Sequence, residues 1–95
     1  MNDAFEALAH PLRRKLLSRL QREGELSAGE LAEQVAVSKP TLSHHLKALT
    51  AAGLVDRERR GTFIYYRINQ SLVEEVVQQM FELFGVGRSR EQEST

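Results

Sequence analysis

Ser38-Lys39-Pro40-Thr41-Leu42-Ser43-His44-His45-Leu46-Lys47-Ala48-Leu49-Thr50 reads as a helix with one apolar side and one polar side. Leu42, Leu46 and Leu49 recur at i, i+4 and i+7 and so share a face. At about 100° per residue, Pro40, His44 and Lys47 fall roughly opposite the leucines, with Thr41 and Ser43 flanking. Ser38 is placed to accept from the free N–H groups of the first turn, and Pro40 sits where a missing N–H costs little. The outward face carries short hydrogen-bonding groups and a cation but no carboxylate, so it can approach a polyanion. The stretch has the make-up of a recognition helix.

The residues before it complete a helix-turn-helix. Ser27-Ala28-Gly29-Glu30 has the Ser-x-x-Glu spacing of a capping box, opening a short helix whose Leu31 and Val35 face the core. Only Ala36 and Val37 separate that helix from Ser38, which is the spacing of two helices joined by a tight turn. Further upstream, Asp3 is a cap for a first helix over residues 4–9, with Phe5 and Leu8 apolar. His10-Pro11 restarts the chain, and a second helix over 11–22 places Leu12, Leu16, Leu17 and Leu20 on one face. Its other side is cationic (Arg13, Arg14, Lys15, Arg19, Arg22), which predicts a solvated face with Arg13 and Arg14 as candidate phosphate contacts.

Downstream, Gly53 is the left-handed cap of the recognition helix. Residues 54–58 and 63–68 alternate as two strands, with Ile64, Tyr66 and Ile68 on one side of the second. Arg59-Arg60-Gly61-Thr62 is the predicted hairpin tip. A hairpin after a helix-turn-helix is a wing, and arginines at its tip suit a minor groove or its flanking phosphates. Asn69 or Ser71 caps a last helix over 72–84. Its apolar residues span far more than one stripe, which a monomer would leave exposed. Pairing about a twofold axis hides them. The expected dimer interface is Phe5, Leu8, Val73, Val76, Val77, Met80, Phe81 and Phe84. Residues 1–85 are expected to form a DNA-binding and dimerisation domain, and 86–95 a flexible polar tail.

The chain has 95 residues, 41% of them apolar, with no cysteine and zero net charge. That excludes disulfides, thiol catalysis and cysteine-bound metal. The charge is segregated: residues 38–67 hold six cations against Asp56 and Glu58, residues 23–33 four glutamates and no cation. A segregated charge steers a polyanion to one face even at zero total. No apolar run approaches the ~20 residues of a membrane span and no signal peptide opens the chain, so a cytoplasmic protein is expected. An enzyme is disfavoured, because Ser43 and His44 diverge on a helix, no third group orients the histidine, and no glycine-rich phosphate loop exists. The rival reading is a winged-helix module that binds protein. It calls for acidic or apolar groups on the outward side of 38–50, and none are there.

The order of elements, with Ala-Leu-Ala-His-Pro-Leu-Arg (7–13), Glu-Leu-Ala (30–32), Ser-Lys-Pro-Thr-Leu-Ser-His-His-Leu-Lys-Ala-Leu (38–49), Ala-Gly-Leu-Val (52–55) and Arg-Arg-Gly-Thr-Phe-Ile-Tyr-Tyr-Arg-Ile (59–68), resembles the ArsR family of bacterial winged-helix repressors over residues 5–84. The resemblance implies a mainly helical fold with a small β-hairpin, a homodimer and a palindromic operator in double-stranded DNA. It implies DNA contacts at Lys39, Thr41, Ser43, His44 and Lys47 and at the wing near Arg59 and Arg60, to which Ser38, Arg57 and Thr62 are added as candidates. The chain departs from the family's metal sensors: residues 30–35 hold no cysteine, and 72–84 offer only Glu74, Glu75 and Glu82. His44 and His45 point about 100° apart and His10 lies far off in sequence, so no metal site or cofactor is expected, and His45 is read as a partly buried packing residue. The chain looks more like the sensor-poor SdpR-type autorepressors of that family, a resemblance that implies regulation through a sequestering protein partner.

Overall fold

The computed structural model describes residues 3–86. Its order is α1 (Asp3–Ala7), α2 (Pro11–Glu23), β1 (Leu26–Ser27), α3 (Ala28–Gln34), α4 (Lys39–Ala51), β2 (Val55–Arg60), β3 (Phe63–Ile68) and α5 (Gln70–Phe84). The side chain of Asp3, the expected cap of α1, and tail residues 87–95 lie outside the described residues.

Helices α3, α4 and α5 each start where a side chain accepts from a free N–H of the first turn, and α2 starts at a proline, which has no N–H to satisfy there. Pro11 opens α2, and Gly24 ends it at a φ of 90°. The capping box forms at α3: Ser27 Oγ accepts from Glu30 N, and Glu30 Oε1 accepts from Ser27 N. Of the two caps expected for α5, Asn69 serves, its side chain accepting from Leu72 N, so the helix begins at Gln70.

The leucine faces meet in one core. Leu16 and Leu20 of α2, Leu31 of α3 with Val35 behind it, and Leu42, Leu46 and Leu49 of α4 are buried together with Leu54, Val55 and Tyr66. Each such leucine contributes roughly 1.5–3 kcal/mol by leaving water. At the end of α4 the chain turns through Gly53 (φ 80°), and Leu54 N donates back to Leu49 O. The positive φ favours glycine here, and a Cβ at Gly53 would stand 3.0 Å from Leu72 Cδ2, close enough that the leucine would have to shift.

The sheet differs from the expected hairpin in two ways. A third strand exists, β1, giving the order β1-β3-β2 with Leu26 opposite Tyr66 and Ser27 opposite Tyr65. Two residues are too few to alternate, so no period marks this strand in the sequence. The wing is also longer than expected, because pairing continues through Arg59↔Ile64 and Arg60↔Phe63. Arg59 and Arg60 are therefore strand residues, and the turn is only Gly61-Thr62, with Gly61 at a φ of 64°.

Candidate nucleic-acid interface

The recognition helix α4 is fixed from inside and free outside. Ser38 Oγ accepts from Thr41 N and donates to Thr41 Oγ1 at 2.9 Å. Leu42, Leu46 and Leu49 are buried, and Thr50 Oγ1 donates to Leu46 O at 2.8 Å. Ser38, Lys39, Pro40, Thr41, Ser43, His44 and Lys47 are all exposed, as the helical period requires. The sequence thus places these candidates on the outer side of one helix, and the structure keeps them there.

His45 holds the helix from behind. It is half-buried, and its Nδ1 accepts from Arg13 Nε at 2.9 Å. The His45 ring lies 6.0 Å from that of His10 and 5.2 Å from that of His44. Burial pulls the His45 pKa below its ordinary value, with Arg13, His44 and His10 adding to the effect. A neutral His45 with its proton on Nε2 fits the Arg13 bond.

This pair corrects the reading of α2 as one solvated cationic face. Arg13 is buried at 7% exposure and turned toward α4's inner side, away from any phosphate at α4's outer face. Arg14 remains exposed, but its Nη1 donates to Leu8 O at 2.7 Å and it borders the apolar cleft against α5. Arg19 is half-buried, its Nε sealed without a partner. An arginine buries its stem readily when its head finds an acceptor, and His45, distant in sequence, is that acceptor.

The wing sorts its arginines by pleat. Cross-strand partners share a face, so Arg57 opposite Tyr66 and Arg59 opposite Ile64 look toward the helices, while Arg60 opposite Phe63 looks away. Arg60 is bonded to Glu25 and, at 2.8 Å, to Glu58, and it lies 4.4 Å over the Tyr65 ring. The Arg60 hydrogen bond and charge hold the Glu58 carboxyl below its usual range. Arg60 is thus tied down rather than free at a tip, a correction that traces to Glu25, which the sequence reading did not connect to the wing. Arg59 Nε donates to Gly61 O at 3.2 Å, and Thr62 is exposed in the turn.

Between α4 and the wing runs a groove of about 380 Å³ lined by Ser43, Lys47, Thr50, Ala51, Arg57 and Tyr66. Ser43, Lys47 and Arg57 were expected at the interface, and the groove brings them together. Thr50, Ala51 and Tyr66 were not. The alternation puts Tyr66 on one side of its strand with Ile64 and Ile68 and carries no signal that it reaches this groove.

The dimerisation candidates divide. Val76 is buried in its own protomer at 6% exposure, which corrects its assignment to the interface. Phe5, Leu8, Val73 and Met80 are partly buried against the same core. Val77, Phe81 and Phe84 are exposed, with Leu83 beside them. No helix among the described residues is long and apolar enough to cross a membrane.

Residues 8–58 match the family described as "Helix-turn-helix domain". The chain is 38% identical over 87 residues to the transcriptional repressor SdpR of Bacillus subtilis (strain 168), covering 92% of this chain and 96% of that protein. It is 35% identical over 80 residues to the biofilm growth-associated repressor of Xylella fastidiosa (strain Temecula1), covering 84% and 69% of the two. Among solved structures, the ArsR-like transcriptional regulator from Rhodococcus sp. RHA1 superposes with a TM-score of 0.77 at 30% identity, covering 97% of this chain and 85% of that one. These relatives are regulators of transcription, not enzymes. The chain belongs to the ArsR family of winged helix-turn-helix, DNA-binding transcriptional repressors.

Proposed function

We propose that the chain represses as a homodimer on an inverted-repeat operator, laying one α4 per half-site in the major groove with the wings alongside. The observation that carries this is α4 itself: its core face is filled by leucines, and its outer side is polar and without carboxylate. In this reading Lys39, Thr41, Ser43, His44 and Lys47 meet DNA from α4, while Arg57, Arg59 and Thr62 meet it from the wing. Val77, Phe81 and Phe84 supply the interface between protomers, packing about the cleft that Leu8, Leu17, Val73 and Met80 border. The chain has no metal- or thiol-sensing site of its own in this reading. Cysteine is absent, and among the described residues no three His, Cys, Asp or Glu side chains are grouped to hold a metal ion. The signal then arrives as a protein that sequesters the repressor.

The test is selection of duplexes from a randomised library by the purified protein, followed by sedimentation of the complex. The expected result is an inverted repeat with half-sites about one helical turn, ~34–36 Å, apart, carrying two protomers. Equal affinity for the selected and a scrambled duplex at moderate salt would sink the reading.

A further inference from the structure

Tyr66 stands apart from the other core residues. Its ring is buried at 8% exposure, yet its hydroxyl has no hydrogen-bond partner among the described residues. That oxygen is also not sealed off, since the only fully enclosed unpartnered side-chain polar atom among the described residues is Arg19 Nε. The hydroxyl is therefore open at the surface, and Tyr66 lines two neighbouring grooves that share Ser43, a largely apolar one between α3 and α4 and the polar one between α4 and the wing. For packing alone phenylalanine would serve better, because a hydroxyl without a protein partner gives the fold nothing and has to keep its water.

The groove's other polar groups share this state. Among the described residues the side chains of Ser43, Lys47 and Arg57 make no hydrogen bond or ion pair, whereas the Thr50 hydroxyl is spent on Leu46 O. No carboxylate lines the groove. Two free cations and two free hydroxyl donors, gathered without an acid, match the acceptor geometry and charge of a phosphate group. Ser43 and Lys47 belong at once to this groove and to the outer side of α4, so a duplex lying on α4 brings its backbone to the groove's mouth.

We infer that Tyr66, with Ser43, Lys47 and Arg57, holds one backbone phosphodiester of the bound duplex in the groove between α4 and the wing. This rests on the DNA-binding mode proposed above. The tyrosine and serine hydroxyls donate to the non-bridging oxygens and fix their position, while Lys47 and Arg57 offset the charge. Because the Tyr66 ring is packed in the core, the phosphate is tied to the protein's interior rather than to a mobile surface chain. The contact therefore sets the register of the recognition helix on the DNA.

The discriminating variant is Tyr66→Phe, which keeps the ring and removes only the donor. Binding of wild type and variant to the selected duplex and to a scrambled one is compared across a salt series. The expected loss is about three- to tenfold on both duplexes, one hydrogen bond's worth. The slope of log K against log [salt] stays unchanged because the lost group is neutral, and the thermal midpoint does not fall. Lys47→Ala, in contrast, flattens that slope by up to ~0.9. Ethylation of single phosphates should reveal one position per half-site that weakens wild type more than Tyr66→Phe, the remainder in the variant being the share of Ser43, Lys47 and Arg57. Wild type that binds while Tyr66→Phe binds equally well overturns this inference alone. Wild type that binds no duplex overturns the underlying reading and this with it. An unchanged duplex affinity combined with loss of stabilisation by inorganic phosphate in Tyr66→Phe would assign the groove to a free phosphate instead.

Discussion

Arg13 Nε donates to His45 Nδ1 at 2.9 Å, joining α2 to the back of the recognition helix across 32 positions of sequence. The bond exists only while His45 is neutral, since a protonated imidazole has no acceptor and would face the Arg13 cation. The charged and titratable groups bearing on His45 are Arg13 from α2, His10 at the start of α2 and His44 on its own helix. All of them disfavour a second positive charge.

Stability should therefore depend on pH through this residue. Its folded pKa lies below the unfolded value of about 6.5. The native state then binds fewer protons, and stability rises with pH in that window. The contribution is complete above about pH 6.5 and is lost as pH falls through the folded value. Urea midpoints at pH 7.5 and 5.5 for wild type and His45→Gln provide the measurement. The variant, which keeps an acceptor but does not titrate, should lose less on acidification. An equal loss in both would show that His45 is not the titrating link.

Adjacent valines of α5 should fail in different ways. Val77→Glu or Phe81→Glu places charge on an exposed apolar face and should yield a folded monomer, costing the dimer several kcal/mol by order of magnitude. Val76→Glu puts the same charge inside the protomer and should unfold it. Sedimentation and circular dichroism of the three variants separate the outcomes. A dimer surviving Val77→Glu and Phe81→Glu places the interface elsewhere.

His44 should report base sequence, since it is exposed on the side of α4 opposite the leucines. Its ring can donate to or accept from a purine edge, and losing one good base contact costs on the order of 1–3 kcal/mol. His44→Ala should relax preference at one position of each half-site. A change confined to the salt slope would reassign it to phosphate.

The neighbouring wing arginines should not be equivalent. Arg59→Ala should weaken selected and scrambled duplexes alike and flatten the salt slope by up to ~0.9. Arg60→Ala should change the slope less, because that guanidinium is already held by Glu25 and Glu58. Neither change should move stability measurably, since the Arg60 ion pairs are exposed and Arg59 bonds only the turn carbonyl of Gly61. Equal slopes for the two variants would show that the ion pairs open when DNA binds.

Zinc, copper or arsenite at micromolar concentration should not release the protein from DNA, since the chain lacks cysteine and no three-ligand group stands among the described residues. Release that a chelator reverses would overturn this.

By itself the sequence determined the helices, their caps and the polar side of α4. The 3.6-residue period of Leu42, Leu46 and Leu49, the Ser27–Glu30 box and the Gly53 turn are local features, legible within one or two turns of chain. The sequence likewise separated the two faces of β3, because the pleat has a period of two, while packing decided that the face of Tyr66 is the inward one. What the tertiary structure decided were the pairings between segments far apart in sequence. Arg13 became a buried donor because α2 crosses behind α4 at His45, and Arg60 gained an ion-pair partner in Glu25, 35 positions away. Tyr66 met Ser43, Lys47 and Arg57 because the wing folds back beside the recognition helix. Such partners leave no periodic trace in sequence, since only the packing of one element on another brings them within hydrogen-bond reach.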